Sequence, residues 1–160
     1  MSTISRAPKF VLRLIHLPPR LLYTLGLGPL IGQVVLLLTT TGRKSGLPRV
    51  TPLQYEQVGD TIYIGAALGQ QADWFQNIAT NPNVHVQVKS HRFQGVAEPI
   101  TDPARIADFL ELRLHRHPRM VSVMLRLEGL AQPNRAQLEK YGSQLALVAI
   151  KGIDINQIDV

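Results

Sequence analysis

Residues Leu36 to Tyr55 read LLLTTTGRKSGLPRVTPLQY: an apolar run, a turn rich in glycine and basic side chains, and a second run in which apolar residues return. The first run, QVVLLLT (Gln33 to Thr39), is short, nearly continuous and bounded by turn formers, the pattern of a strand buried on both faces. RVTPLQYEQV (Arg49 to Val58) resumes extended character after Gly46 and Pro48, and Gly59-Asp60 makes a hairpin signal before TIYIGAA (Thr61 to Ala67). Three strands joined in succession by short turns predict an antiparallel meander.

Beyond Gly69 the period becomes helical from about Ala72 to Ala79 and stops at Asn81-Pro82. VHVQV (Val84 to Val88) alternates, and RFQGVAEPI (Arg92 to Ile100) returns as its hairpin partner, the fifth strand. Asp102 then stands as N-cap with Pro103 at the first helical position of a helix to about His115. A second helix starts at Pro118 and stops at Gly129, a third covers Arg135 to Tyr141, and LALVAIKG (Leu145 to Gly152) reads as a last strand. Strands at hairpin spacing with one inserted helix argue against a parallel βαβ fold and predict an α+β barrel or half-barrel. Upstream, Ala7 to Leu17 has helical period, with Arg6, Lys9, Arg13 and His16 in one stripe and Pro18-Pro19 as its stop. Such a basic amphipathic helix either packs on the domain or lies on an anionic membrane surface. The expected organisation is one domain over residues 1–160: an N-terminal arm (1–32), the core strands (33–100), and helices with the last strand (101–160).

The chain of 160 residues is long enough to bury a core without staples, and it contains no cysteine. Disulfides, thiolate nucleophiles and cysteine-based metal sites are thereby excluded. Charges and prolines interrupt the greasy N-terminus before it reaches the roughly 18 apolar residues that a spanning helix needs, and it lacks a signal-peptide cleavage pattern. A cytoplasmic protein is expected, with membrane association as the variant that the N-terminal helix allows. No Asp or Glu precedes Glu56, so the first 55 residues carry +7 and the remainder −1. Positive potential concentrated in one third of the chain implies an anionic partner there. Aromatics are not interleaved with those basic residues, which argues against nucleic acid.

Placing Lys44-Ser45 on the K-[ST] pair of a nucleotide P-loop puts Leu38 and Arg43 where that motif needs its two glycines, so the motif is rejected. What survives is a tight turn, Gly42 to Gly46, presenting Arg43, Lys44 and the Ser45 hydroxyl, with Arg49 on the returning strand. That set suits a phosphate, and spacing alone leaves a solvated hairpin tip equally open. In DWFQNI (Asp73 to Ile78), Trp74 and Asn77 are helical neighbours, so an aromatic face and an amide are placed to meet a planar ligand. Core packing is the default for Trp74. Gly65 and Gly69, with Ala66 and Ala67 between, leave a strand end without bulk where a flat ring can approach the backbone, or mark a bulge. His115 and His117 point to different sides of a helix end, which makes a metal site unexpected. Neither a G-x-S-x-G elbow nor a carboxylate pair marks a dedicated catalytic set.

LLLTTTGRKSGLPRVTPLQY, then YIGAALG, then DWFQNIATNPNVHVQV, in that order and spacing, resemble the deazaflavin-dependent nitroreductase and quinone reductase family over roughly Gln33 to Ile100. RHPRMVSVMLRLEGL (Arg116 to Leu130) is similar to a helical tail in one branch of it. The resemblance implies an α+β split β-barrel of mostly antiparallel strands, like that of FMN-binding proteins, with the N-terminal helix, one inserted helix and C-terminal helices. It also implies coenzyme F420, a deazaflavin with a phosphate and a glutamate tail, as hydride donor to a quinone-like or other activated conjugated acceptor. By the family pattern Arg43, Lys44, Ser45 and Arg49 hold the phosphate and acidic tail, and Thr51, Pro52 and Leu53 line the path to the ring. Ala66, Ala67 and Gly69 meet the ring plane, and Trp74 and Asn77 close the pocket. A homodimer is compatible with the resemblance. The alternative is a non-catalytic binder of FMN, haem or a lipid-like ligand on the same barrel. One departure stands out: many relatives carry S-K-G-G where this chain has Ala67, Leu68, Gly69 and Gln70, so a lysine and a serine are missing.

Overall fold

In the computed structural model, which describes residues 35–66 and 68–152, the opening stretch forms a hairpin. β1 (Val35–Thr41) pairs antiparallel with β2 (Pro48–Gln54), Val35 opposite Gln54 and Thr41 opposite Pro48. The connecting turn is closed by the Gly42 N–H on the Leu47 carbonyl (2.8 Å) and the Gly46 N–H on the Gly42 carbonyl (2.7 Å). Gly46 sits at φ +69°, a conformation that costs glycine nothing and most other residues something. The predicted N-terminal helix (Ala7 to Leu17) and the arm around it lie outside the described residues, as does Ala67.

Downstream follow β3 (Glu56–Val58), β4 (Thr61–Ala66), a 3-10 turn (Gly69–Gln71), α1 (Asp73–Thr80), β5 (Asn83–Val88), β6 (His91–Ile100), α2 (Pro103–Arg116), α3 (Pro118–Leu127), α4 (Arg135–Gly142) and β7 (Ala146–Gly152). The strands form one seven-stranded sheet in the order β2-β1-β5-β6-β7-β4-β3, with every pairing antiparallel. This corrects the three-strand meander: the segment expected as one strand, Arg49 to Val58, is two, broken at Tyr55, and they occupy opposite edges of the sheet. In a flat sheet of this size the edges would stand roughly 30 Å apart, whereas Gln54 and Glu56 are separated by one residue, about 7 Å of chain. The sheet therefore curls until its edges meet at Tyr55, which makes the split β-barrel.

Alternation along each strand then sorts the core. Leu36 and Leu38, Ile62 and Ile64, Val84 and Val86, and Val148 and Ile150 point into the barrel, where Trp74, Phe75 and Ile78 of α1 plug one end. The opposite face of β4, β6 and β7 packs Tyr63, Ile100, Leu147 and Ala149 against Ile106 and Leu110 of α2, Val121 and Leu125 of α3, and Leu138 of α4. β7, covered on both sides, is buried from Ala146 through Ile150. The predicted cap at Asp102 is present: its carboxylate accepts from the Ala104 N–H at 3.1 Å, with Pro103 opening α2. Asn134 and Gln137 form a reciprocal capping box on α4. Arg135, whose guanidinium donates to Glu139 (2.8 Å), Asp108 (2.7 Å) and Glu111 (3.1 Å), ties α4 to α2. β3 is held by Glu56, whose carboxylate meets Arg116 at 3.0 Å and His117 at 3.1 Å across the end of α2.

Gly69, between β4 and α1, is buried at φ +59°, and a Cβ built there stands 2.8 Å from the Gln144 carbonyl oxygen. Both the backbone conformation and the clash with a main-chain atom oppose any side chain. Gly69→Ala is expected to destabilise the fold by about 1–3 kcal/mol, seen in urea unfolding as a lower midpoint with an unchanged slope.

Candidate functional site

The β1–β2 turn lies against α1, and one buried amide fixes the two together. Asn77, 4% exposed, donates from Nδ2 to Thr40 Oγ1 at 3.1 Å, while its Oδ1 accepts from the Arg43 backbone N–H at 3.1 Å and from Arg43 Nη1 at 3.2 Å. Arg43 reaches further, donating from Nη2 to Asp73 Oδ1 at 2.9 Å. The Ser45 hydroxyl accepts from the Leu47 N–H at 3.2 Å and steadies the turn. Between turn and helix opens a groove of about 760 Å³, lined by Gly42, Arg43, Lys44, Ser45, Pro48, Arg49, Val50, Thr51, Asp73, Trp74 and Asn77. That volume lies within the usual range for cofactor clefts. Asp73 neutralises Arg43, whereas Lys44 and Arg49 form no ion pair among the described residues. The groove wall thus carries two cations without counter-charge, an arrangement that attracts an anion.

The structure brings Arg43, Lys44, Ser45, Arg49, Thr51, Trp74 and Asn77 together on this groove. Their positions differ in kind. Asn77 has its amide committed to Thr40 and Arg43, and Trp74, 9% exposed, is mostly part of the barrel core. Lys44 and Arg49 are exposed. Pro52 and Leu53 continue along β2 beyond the groove lining, with Leu53 packed partly on the core. Ala66, at the end of β4, lines a different cavity, Gly69 is buried in the 3-10 turn, and Leu68 is 77% exposed. Two residues that sequence reasoning did not single out complete the site: Asp73, the partner of Arg43, and Thr40, the partner of Asn77. Asp73 is visible as an acidic residue in the first helical turn, but its partner lies thirty residues upstream.

The second cavity, about 190 Å³, lies on the outer side of the barrel at the Tyr55 corner. Gln54, Tyr55 and Glu56 form its rim, Tyr63, Gly65 and Ala66 its sheet wall, and Phe109, Arg113, Met124 and Tyr141 its helical wall. Burial pushes the Tyr141 phenol above the ordinary tyrosine range, with Glu128 adding to the shift. Among the described residues no cluster of His, Asp or Glu is placed to hold a metal ion. No described helix is long and apolar enough to cross a membrane.

The family model of F420H(2)-dependent quinone reductases matches residues 24–123, a span that includes the whole groove. An F420H(2)-dependent quinone reductase of Mycobacterium tuberculosis (H37Rv) is 40% identical over 68 residues, covering 41% of this chain and 46% of that protein. The chain spans about half the length of the curated relatives it matches. Among solved structures, a conserved hypothetical protein from Mycobacterium tuberculosis has a TM-score of 0.52 at 14% identity, over 79% of this chain and 78% of that one. An F420-H2 dependent reductase has a TM-score of 0.50 at 21% identity, over 74% of this chain and 95% of that one. At such identities the likeness is one of fold, and it agrees with the split β-barrel expected from sequence.

Two residues of α1, Asn77 and Asp73, hold the turn in different ways, and the magnitudes separate them. Removing the buried Asn77 amide strands a backbone N–H and a hydroxyl, at a cost of about 1–3 kcal/mol. Breaking the solvent-facing Arg43–Asp73 pair costs about 1 kcal/mol at most. Asn77→Ala is therefore expected to lower the thermal midpoint clearly more than Asp73→Ala, as measured by calorimetry on the two variants.

Proposed function

The chain belongs to the F420H(2)-dependent quinone reductase family, and we propose that its groove binds the acidic, phosphate-bearing tail of reduced coenzyme F420 while hydride passes to a quinone-like or other activated conjugated acceptor. The observation that carries this reading is the pair of cations, Lys44 and Arg49, without an ion-pair partner among the described residues, in a groove large enough for a cofactor. Arg49 offers a planar fork of donors and Lys44 a mobile point charge, a combination suited to a phosphate next to carboxylates. Arg43, held by Asp73 and Asn77, shapes the turn and retains a guanidinium edge toward the groove. Ser45 supplies a hydroxyl beside them.

From Arg49, β2 runs through Thr51, Pro52 and Leu53 toward Tyr55, roughly 20 Å at the rise of an extended strand. That course leads from the anion end to the small-residue end of β4, where by the family resemblance Ala66 and Ala67 would meet the flat ring, while Gly69 is buried against the Gln144 carbonyl and serves the turn instead. Trp74 and Asn77 close the groove from α1. When bound, the reduced deazaflavin would supply the hydride, so the protein's part is positioning and the exclusion of water, which accords with a sequence in which no G-x-S-x-G elbow and no carboxylate pair marks a catalytic set. Leu68, exposed where relatives carry lysine, contributes no charge and leaves anion binding to the turn. The same departure motivates the second reading, a barrel that binds FMN or another ligand without catalysis.

Parallel titrations with F420 and FMN, followed by quenching of the single tryptophan, test this reading. F420 is expected to bind at micromolar or lower concentration and FMN more weakly, with affinity falling as salt screens the open groove. Lys44→Ala and Arg49→Ala should each weaken F420 by roughly tenfold or more, the scale of one charge-assisted hydrogen bond. Absence of F420 binding at low salt, or binding indifferent to both substitutions, would overturn the assignment. Anaerobic mixing of the reduced deazaflavin with protein and a quinone should then show oxidation of the deazaflavin.

A further inference from the structure

α3 carries a face that the folded barrel does not use. Val121 and Leu125 are buried in the helical layer, and Met124 beside them lines the corner cavity. The far side of the same helix is apolar as well: Met120 is 53% exposed, Val123 57% and Leu127 79%. Their spacing of three and four residues stacks them in one stripe. Seven large apolar side chains are exposed among the described residues, and three of them share this stripe. Singly exposed apolar residues are ordinary, whereas a contiguous set on one helix face marks a contact surface.

The charges around the stripe decide what meets it. Arg119 and Arg126, both exposed, are spaced so that they follow one border of the stripe, and neither forms an ion pair among the described residues. Arg116, one turn before, is committed to the Glu56 carboxylate and the Gln57 carbonyl. Glu128, which follows Leu127, lies near the Tyr141 phenol. A second copy of the chain docked on this stripe would set the arginines of one protomer against those of the other. The N-terminal segment is no better matched as a cover, since residues 1–34 contain Arg6, Lys9, Arg13 and Arg20 and no acidic residue. An anionic surface fits where these cationic ones do not.

We propose that α3 is a docking face for an anionic lipid bilayer, with Met120, Val123 and Leu127 entering the acyl boundary and Arg119 and Arg126 meeting the headgroup phosphates. The helix has ten residues, too few to cross a bilayer, so it lies in the plane of the interface. Arginine suits the border of such a stripe because its apolar stem follows the neighbouring side chains inward while the guanidinium stays among the headgroups. Three inserted side chains or two basic ones alone hold weakly. Together they give a reversible association that requires anionic lipid. This inference does not depend on what the groove binds.

The test sediments the full chain with vesicles of phosphatidylcholine alone and of an equimolar phosphatidylcholine and phosphatidylglycerol mixture. The wild type is expected to bind the mixed vesicles, less so as salt rises, and to stay in solution with phosphatidylcholine alone. Val123→Gln combined with Leu127→Gln keeps the charges, Arg119→Gln combined with Arg126→Gln keeps the stripe, and each pair should lower the partition coefficient ~10-fold. Because the chain has no cysteine, Val123→Cys takes an environment-sensitive fluorophore at one place. Its emission should shift to the blue on mixed vesicles, while that of a label at Gln94→Cys, exposed on β6, should not. All these positions are solvent-facing or at the surface, so circular dichroism melts should match the wild type. Absence of vesicle binding, equal binding to both lipid compositions, binding indifferent to both pairs of substitutions, or an unshifted label at position 123 overturns the proposal. F420 titration of the Val123→Gln, Leu127→Gln protein should equal that of the wild type, so the docking face and the groove are tested separately.

Discussion

The closure of the sheet at Tyr55 is the constraint on which the rest of this structure depends. Strands adjacent in sequence, β2 and β3, stand at opposite edges, and a single residue links them. A chain that short cannot bridge an open sheet, so the sheet must curl, and curling gives each strand an inside and an outside. The inside collects the alternating Leu, Ile and Val side chains and takes α1 as its plug. The outside of β4, β6 and β7 takes the remaining helices. Both cavities follow from the same closure: the groove where the β1–β2 turn meets α1, and the smaller cavity where the two edges join.

Within the groove, three basic side chains are not three equivalent charges. Arg43 is drawn into the fold by Asp73 and by the amide of Asn77. Its contribution is mainly to the position of the turn, since a charge already balanced by a neighbouring carboxylate adds little field at a ligand. Lys44 and Arg49, solvated and unbalanced among the described residues, supply the field. Asn77 decides this division: by accepting from both the backbone and the side chain of Arg43 it fixes which of the three cations is structural. A buried amide with all its near partners satisfied is rigid as well as stabilising, which suits a residue that positions others.

The local grammar of the chain was legible. Apolar continuity gave β1, strict alternation gave β5, and Asp102-Pro103 gave the start of α2, because each signal is contained within a few residues. The split of Arg49 to Val58 was not, since extended character persists through Tyr55 and nothing local says that partners change there. Pro48 and Pro52 were the available clue: neither can donate to a neighbour, so their strand suits an edge, as β2 is. The basic turn was legible as composition, Arg43 to Arg49, while the sorting of its charges depended on Asp73, thirty residues away. The corner cavity was least legible of all. Gly65 stood out as a place without bulk, but Arg113 meets Glu56 from far away in sequence, at 3.9 Å, and only tertiary closure shows that its Nε finds no hydrogen-bond partner among the described residues.

The two cavities differ in the physics they offer. The groove presents charge at an open surface, so a hold on an anion there would be long-ranged, tolerant of geometry and sensitive to salt. The corner cavity, smaller and lined mainly by apolar and aromatic side chains, offers shape rather than a field. That difference gives Leu68 a physical context. A lysine at this exposed position between β4 and α1 would extend the positive field toward the small-residue end of β4, where charge does nothing to seat a neutral ring. An apolar residue there confines the field to the turn.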